Sequence, residues 1–153
     1  MSIFPENISN NLVSNQTLGV EKRGYKDIWF DTQKKKIIIK DGAAIIASKK
    51  EQIKQWIYLL IYTEIDKYKI YKDTGFGIVF LYEMKGHDFY SSGFTIAQIK
   101  NELAEKIQTH PCVEKIENIE IEKGFNDLII TITVIAEGEK IESEVIYNVW
   151  VYS

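Results

Sequence analysis

The sequence predicts an α+β domain, a small antiparallel sheet packed with two main helices. Three observations carry this expectation. Two stretches, about 48–66 and 95–109, repeat apolar residues at helical spacing. Three two-period segments joined by short polar turns occupy the C-terminal third, as in an antiparallel meander. Hydrophobic residues make up 45% of 153, enough to bury one core.

In chain order, residues 1–24 are rich in Asn, Ser and Gln and read as an extended or disordered arm. Alternatively the arm orders on a partner, anchored by Ile3, Phe4, Ile8, Leu12, Val13 and Leu18. Residues 25–153 are expected to form one domain. Its first elements are short extended segments, Ile28-Trp-Phe-Asp31 and Lys36-Ile-Ile-Ile-Lys40, with a polar turn between them and Asp41-Gly42 turning the chain after them. Ser48-Lys-Lys-Glu51 is a capping box, in which a hydroxyl and a carboxylate satisfy the free N–H groups at a helix start. Ile53, Trp56, Ile57, Leu60 and Ile61 then form one apolar face, widened by Leu59 and Tyr62.

Lys67 to Phe80 reads as β-rich and aromatic, with Gly75 and Gly77 providing a bend or close approach and a strand starting at Ile78. Thr95-Ile-Ala-Gln98 repeats the capping-box pattern and is expected to open the second helix, with Ile96, Ile99, Leu103 and Ile107 apolar and Pro111 as its stop. The strands follow. Ile119 and Ile121 alternate with Glu120 and Glu122. Leu128, Ile130, Ile132 and Val134 share a face after a turn at Phe125-Asn-Asp127. Ile141 to Tyr152 is entered through Glu137-Gly-Glu-Lys140. In that last strand Val145, Tyr147, Val149 and Val151 point one way, and Glu144, Ile146, Asn148, Trp150 and Tyr152 the other. Such a strand is either sandwiched in the domain or presented to a partner.

Charge narrows the function. Nineteen basic against 22 acidic residues give a net charge of −3, without the basic excess of nucleic-acid or membrane-surface binders. One cysteine, Cys112, forbids an intramolecular disulfide and suits a reducing compartment. The N-terminus lacks the basic and apolar regions of a secretory signal. No apolar run approaches the roughly 20 residues that span a bilayer.

Candidate chemistry is sparse. His87-Asp88 has no nucleophile elbow around it. His110 and Cys112 flank Pro111, but two histidines and one cysteine leave a metal short of ligands. Glu64 with Asp66, or Glu102 with Glu105, offers carboxylates without the cleft that acid–base catalysis requires. Gly75-Phe-Gly77 lacks the third glycine of a dinucleotide motif. No cofactor, metal or catalytic set is expected, and the chain is read as not an enzyme.

The helix-turn-loop of residues 53–77 adds a resemblance. It ends its helix in Thr63-Glu64, continues through Tyr68-Lys-Ile-Tyr71 and turns at Phe76-Gly77. Pro111-Cys-Val113 then ends the second helix before three strands. In these features, over residues 26–152, the chain resembles the XkdS-type family of phage and defective-prophage tail proteins. That family is similar to the inner baseplate wedge, or sheath initiator, of T4-like contractile tails. Of the Glu-Pro-Arg motif of those tails only Glu64 stands here. Lys67 or Lys69 would supply the positive charge, without the fork geometry of arginine.

The resemblance implies a structural role in a tail baseplate, six copies around the tube, joining larger wedge proteins to the first sheath ring by β-strand addition. It implies a wedge contact at Thr63, Glu64, Lys67, Tyr68, Lys69, Tyr71, Phe76 and Gly77. It implies a sheath contact at Ile146, Asn148, Trp150 and Tyr152, and contact with tube or hub proteins is compatible with it. No nucleic acid or membrane is expected as partner, and the isolated chain is expected to be monomeric. It would assemble in the host cytoplasm and leave by lysis. The alternatives are a free-standing binding module or regulator and, further off, a cell-wall hydrolase.

Overall fold

The computed structural model describes residues 27–83 and 93–148. The expected arm, the His87-Asp88 pair, and Trp150 and Tyr152 lie outside the described residues. The chain divides into two compact units, Met1–Gln52 and Ile53–Ser153.

In the first unit, β1 (Phe30–Asp31) pairs antiparallel with β2 (Lys36–Ile37), and β3 (Ile39–Lys40) with β4 (Ala43–Ala44). Asp31 builds the first turn, its Oδ1 accepting from the N–H groups of Gln33 (3.0 Å) and Lys34 (2.9 Å). The second turn is Asp41-Gly42 with φ of 51° and 77°, the left-handed pair a two-residue hairpin needs. Trp29 joins the two hairpins: its N–H donates to Ile45 (2.7 Å) and its carbonyl accepts from Ile38 (2.9 Å).

Helix α1 spans Lys49–Ile61. The Ser48 hydroxyl accepts from the N–H of Glu51 at 3.3 Å, the hydroxyl half of the expected capping box. The helix ends before residue 66, because the N–H of Thr63 turns back to Leu60 and its hydroxyl donates to the Leu59 carbonyl at 2.6 Å.

In the second unit a sheet of order β5-β6-β7 carries the core: β5 (Val113–Lys123), β6 (Asp127–Ala136) and β7 (Glu139–Asn148), all antiparallel. Ile53, Ile57, Leu60 and Ile61 of α1 join Ile99, Leu103 and Ile107 of α3 (Gly93–Gln108) over Leu128, Ile130, Ile132 and Val134 of β6. Ile141, Val145 and Tyr147 complete this face from β7, while Glu142, Glu144, Ile146 and Asn148 are exposed. The predicted alternation of the last strand holds through Asn148. β6 and β7 keep an unbroken register from Asp127↔Asn148 to Ala136↔Glu139. β5 is irregular at two places, between Val113 and Lys115 and between Ile116 and Asn118.

Three expectations are corrected. Lys67 to Phe80 is not β-rich: Lys69–Tyr71 is a 3-10 turn, and the one bridge is the parallel pair Glu64↔Ile78. Positive φ at Asp66, Asp73, Gly75 and Gly77 breaks any extended run there. The strand expected after Gly77 is instead a short helix, α2 (Phe80–Glu83). Thr95 does not open its helix, which begins at Gly93 and buries Thr95.

Candidate docking surfaces

Two features of the second unit stand out, a closed loop and a strand edge. The loop, residues 66–76, starts and ends at one point. The N–H of Ile78 donates to Thr63 (2.9 Å) and that of Ile65 to Ile78 (3.2 Å). Gly77 allows this approach: a Cβ there would lie 2.8 Å from the Thr63 carbonyl oxygen, at a φ of 117°. Inside the loop, the N–H of Asp73 donates to the Asp66 carboxylate, and Tyr71 packs on Phe76 with ring centroids 4.8 Å apart. Phe76 in turn meets Trp56 edge-on at 5.9 Å. Lys106 of α3 donates from Nζ to the Gly75 carbonyl at 2.6 Å.

This geometry sorts the expected wedge-contact residues. Glu64 pairs with Lys67 at 3.2 Å near the surface, and Tyr68 and Lys69 are exposed. Thr63 and Gly77 are buried and hold the loop's ends, and Tyr71 and Phe76 stiffen it. The most exposed large hydrophobic side chain here, Ile70 at 77%, is not among the expected residues. In a two-period reading it falls between tyrosines as a core position, and only the 3-10 turn puts it outside. Phe125, 95% exposed at the β5–β6 turn, was legible only as a turn residue.

The strand edge belongs to β7. Ile146 is 53% exposed and Asn148 is exposed. The Tyr62 hydroxyl donates to the Ile146 carbonyl at 2.5 Å. Behind the strand, Tyr147 lies between Tyr62 and Tyr82, at 5.8 and 5.9 Å between ring centroids. Burial, then the neighbouring Tyr62 and Glu64, push the Tyr147 phenol up to about 12, and burial raises Tyr62 and Tyr82 as well. All three phenols are neutral at physiological pH. Tyr82 donates to Ile61 at 3.0 Å, while the Tyr147 hydroxyl, buried, has no hydrogen-bond partner among the described residues.

The other sequence candidates take structural places. Both oxygens of Glu102 accept N–H groups at the start of α2, from Val79 (2.7 Å) and Phe80 (3.0 Å). Glu102 and Glu105 line an open depression of about 350 Å³ with Phe80, Gln98, Asn101 and Lys106. His110 Nδ1 accepts from the backbone N–H of Cys112 at 3.1 Å, and its ring lies edge-on to Trp56 at 4.6 Å. Burial lowers its pKa. Among the described residues no group of three or more His, Cys, Asp or Glu is placed to hold a metal.

The closed loop and the β7 edge each present an exposed apolar side chain, Ile70 and Ile146. Residues 26–139 match the contractile injection system sheath initiator family, and the chain belongs to that family. It is a structural component of a contractile tail, located at the baseplate.

The fold recurs in a crystal structure from Geobacter sulfurreducens of a protein provisionally named a tail lysozyme. Identity is 16% and the TM-score 0.56, over 72% of this chain and 98% of that one. No curated protein matches the sequence. This neighbour corrects one expectation: the chain was read as not an enzyme, and the same fold carries a lysozyme name elsewhere.

Proposed function

We propose that the chain joins larger wedge proteins of the baseplate to the first ring of tail sheath, in six copies around the tube. The open edge of β7 carries the sheath half of this reading. Its regular register supplies backbone donors and acceptors in a row, and strand addition uses such a row for affinity while side chains fix register. The loop of residues 66–76 is the wedge half, with Glu64, Lys67, Tyr68 and Lys69 at its surface and Ile70 as the apolar anchor. Tube or hub proteins are further neighbours in such a ring.

Deleting the gene from its particle cluster and imaging the lysate by negative-stain electron microscopy tests the role. Tubes or baseplates without polymerised sheath are expected. Normally sheathed particles would end the reading. A second reading, cleavage of cell wall, draws on the neighbour's name and on the depression lined by Glu102 and Glu105. It requires purified protein to clear a cell-wall suspension, with the clearing lost in Glu105→Gln.

A further inference from the structure

Charge is unevenly divided along the chain. The unit Met1–Gln52 has nine basic and six acidic residues, and the unit Ile53–Ser153 ten basic and sixteen acidic. The net charge of −3 is thus +3 in one unit and −6 in the other. Each sign accompanies an apolar surface.

In the first unit three bonds run in a cycle: the N–H of Trp29 donates to Ile45, that of Ile45 to Ile38, and that of Ile38 to Trp29. Side chains two residues apart share a face of a strand, and so do paired ones. Ile28↔Ile46, Phe30↔Ile37 and Ile39↔Ala44 therefore lie on one side, with Trp29, Ile38 and Ile45 on the other. All six residues of the first side are apolar. Its four isoleucines are 50–66% exposed, whereas Trp29, Ile38 and Ile45 are half-buried. A continuous apolar side left open in so small a unit marks a contact surface. Lys34, Lys35, Lys36 and Lys40 stand exposed by its turns, beside Asp41, and Lys34 reaches Asp31 at 3.9 Å.

In the second unit the outer side of the three-stranded sheet reads in rows across β5, β6 and β7: Glu122–Ile129–Ile146, Glu120–Thr131–Glu144 and Asn118–Thr133–Glu142. Lys115–Ile135–Lys140 and the pair Asp127–Asn148 bound these rows. Lys140 is committed within the surface. Its Nζ lies 2.9 Å from Glu117, and this bond, with the charge of Glu142 behind it, raises its pKa. What remains is acidic around a strip of half-buried Ile129 and Ile135 and exposed Ile146.

We infer that the isoleucine side of the hairpin unit in one copy docks on the outer side of the three-stranded sheet in a second copy, Lys36 and Lys40 meeting Glu120 and Glu144. Opposite charge favours this pairing over isoleucine side on isoleucine side, which would bring lysines together. The contact is heterologous, so every copy uses both surfaces and a closed ring satisfies them all. It engages side chains of the sheet rather than the backbone edge of β7. The inference rests on the placement of several copies around one tube and supplies what joins neighbours. Between free copies the contact is weak. A ring strengthens it by holding copies side by side.

The test is sedimentation equilibrium of the full chain at millimolar concentration. Self-association is expected, weakened about tenfold between about 50 and 500 mM salt. Lys36→Glu/Lys40→Glu and Glu120→Lys/Glu144→Lys should each be monomeric alone. Their equimolar mixture should recover association, because each reversed surface then faces its opposite. All four positions are exposed, so circular dichroism should show both variants folded. Ile39→Glu should abolish association of the parent chain. A chain that stays monomeric throughout, its isoleucine side covered by residues 1–24 or by another protein, would overturn the inference. So would a mixture that fails to associate, or association that survives in both variants, the sign of isoleucine against isoleucine. In particles, each charge-reversed variant should lower the sheathed fraction, and the two combined in one chain should restore it. Full sheathing in both variants, with the gene deletion still unsheathed, would sink this contact and leave the baseplate role standing.

Discussion

Substituting Gly77 tests whether the closed loop depends on one close backbone approach. An alanine Cβ at this position lies 2.8 Å from the Thr63 carbonyl oxygen, 3.0 Å from the Ile65 nitrogen and 3.1 Å from its Cα. All three neighbours are backbone, so no side chain can yield. A φ of 117° adds a conformational cost of about 1–3 kcal/mol for a residue with a side chain. Relieving the clash means parting the segments and losing the bonds Ile78 to Thr63 and Ile65 to Ile78, at about 1 kcal/mol each. The sum for Gly77→Ala is about 3–5 kcal/mol, a large share of the roughly 5–15 kcal/mol that stabilises a typical domain. At about 3 °C per kcal/mol for a chain of this size, the thermal midpoint should fall by about 9–15 °C. Gly75 is the control: its φ is 71° and nothing lies within 4 Å of an added Cβ. Gly75→Ala should cost only the left-handed conformation, about 1–2 kcal/mol. Melting of both variants by circular dichroism gives the comparison. Equal midpoints would refute the argument, because the close approach is what separates the two sites.

Further outcomes follow from the same interior. Tyr147→Phe removes a buried hydroxyl without a partner among the described residues and should stabilise the chain by about 1–2 kcal/mol in urea titration. Glu102→Ala leaves the N–H groups of Val79 and Phe80 without their carboxylate and should cost about 2 kcal/mol by the same measurement. His110 has a folded pKa below its usual 6.5, so the unfolded chain binds more protons in the window beneath that value. Its contribution is complete above pH 6.5 and declines as pH falls. His110→Phe should flatten the stability–pH curve there.

What was legible in the sequence was set by local periodicity. The Ile53-to-Ile61 face, the Leu128-to-Val134 face and the alternation of β7 each need only neighbours two to four residues apart, and each appears where expected. The misread parts depend on partners far along the chain or on backbone signs that residue type encodes weakly. Asp66 and Asp73 take positive φ, which turned an expected strand into a loop. Glu102 caps a helix that begins 22 residues before it, and Tyr62 reaches a carbonyl 84 residues away. Thr95-Ile-Ala-Gln98 looked like a helix start because a capping box is a local pattern, yet the helix begins two residues earlier. The non-enzymatic reading failed differently. It rested on absent motifs, and a fold likeness to a lysozyme-named protein is enough to remove it.

Because the loop of residues 66–76 leaves and rejoins the body across a single bridge, it can be treated as an exchangeable cassette. Its anchors are few: the Thr63–Ile65 and Gly77–Ile78 contacts, the Phe76 ring on Trp56, and the Lys106 tether to Gly75. On the proposed wedge contact, a related loop transplanted between those anchors would change the wedge partner while leaving the sheet and its register alone. Tails built from different gene clusters could then be mixed by trading this one segment, with the rest of the chain serving as a common chassis.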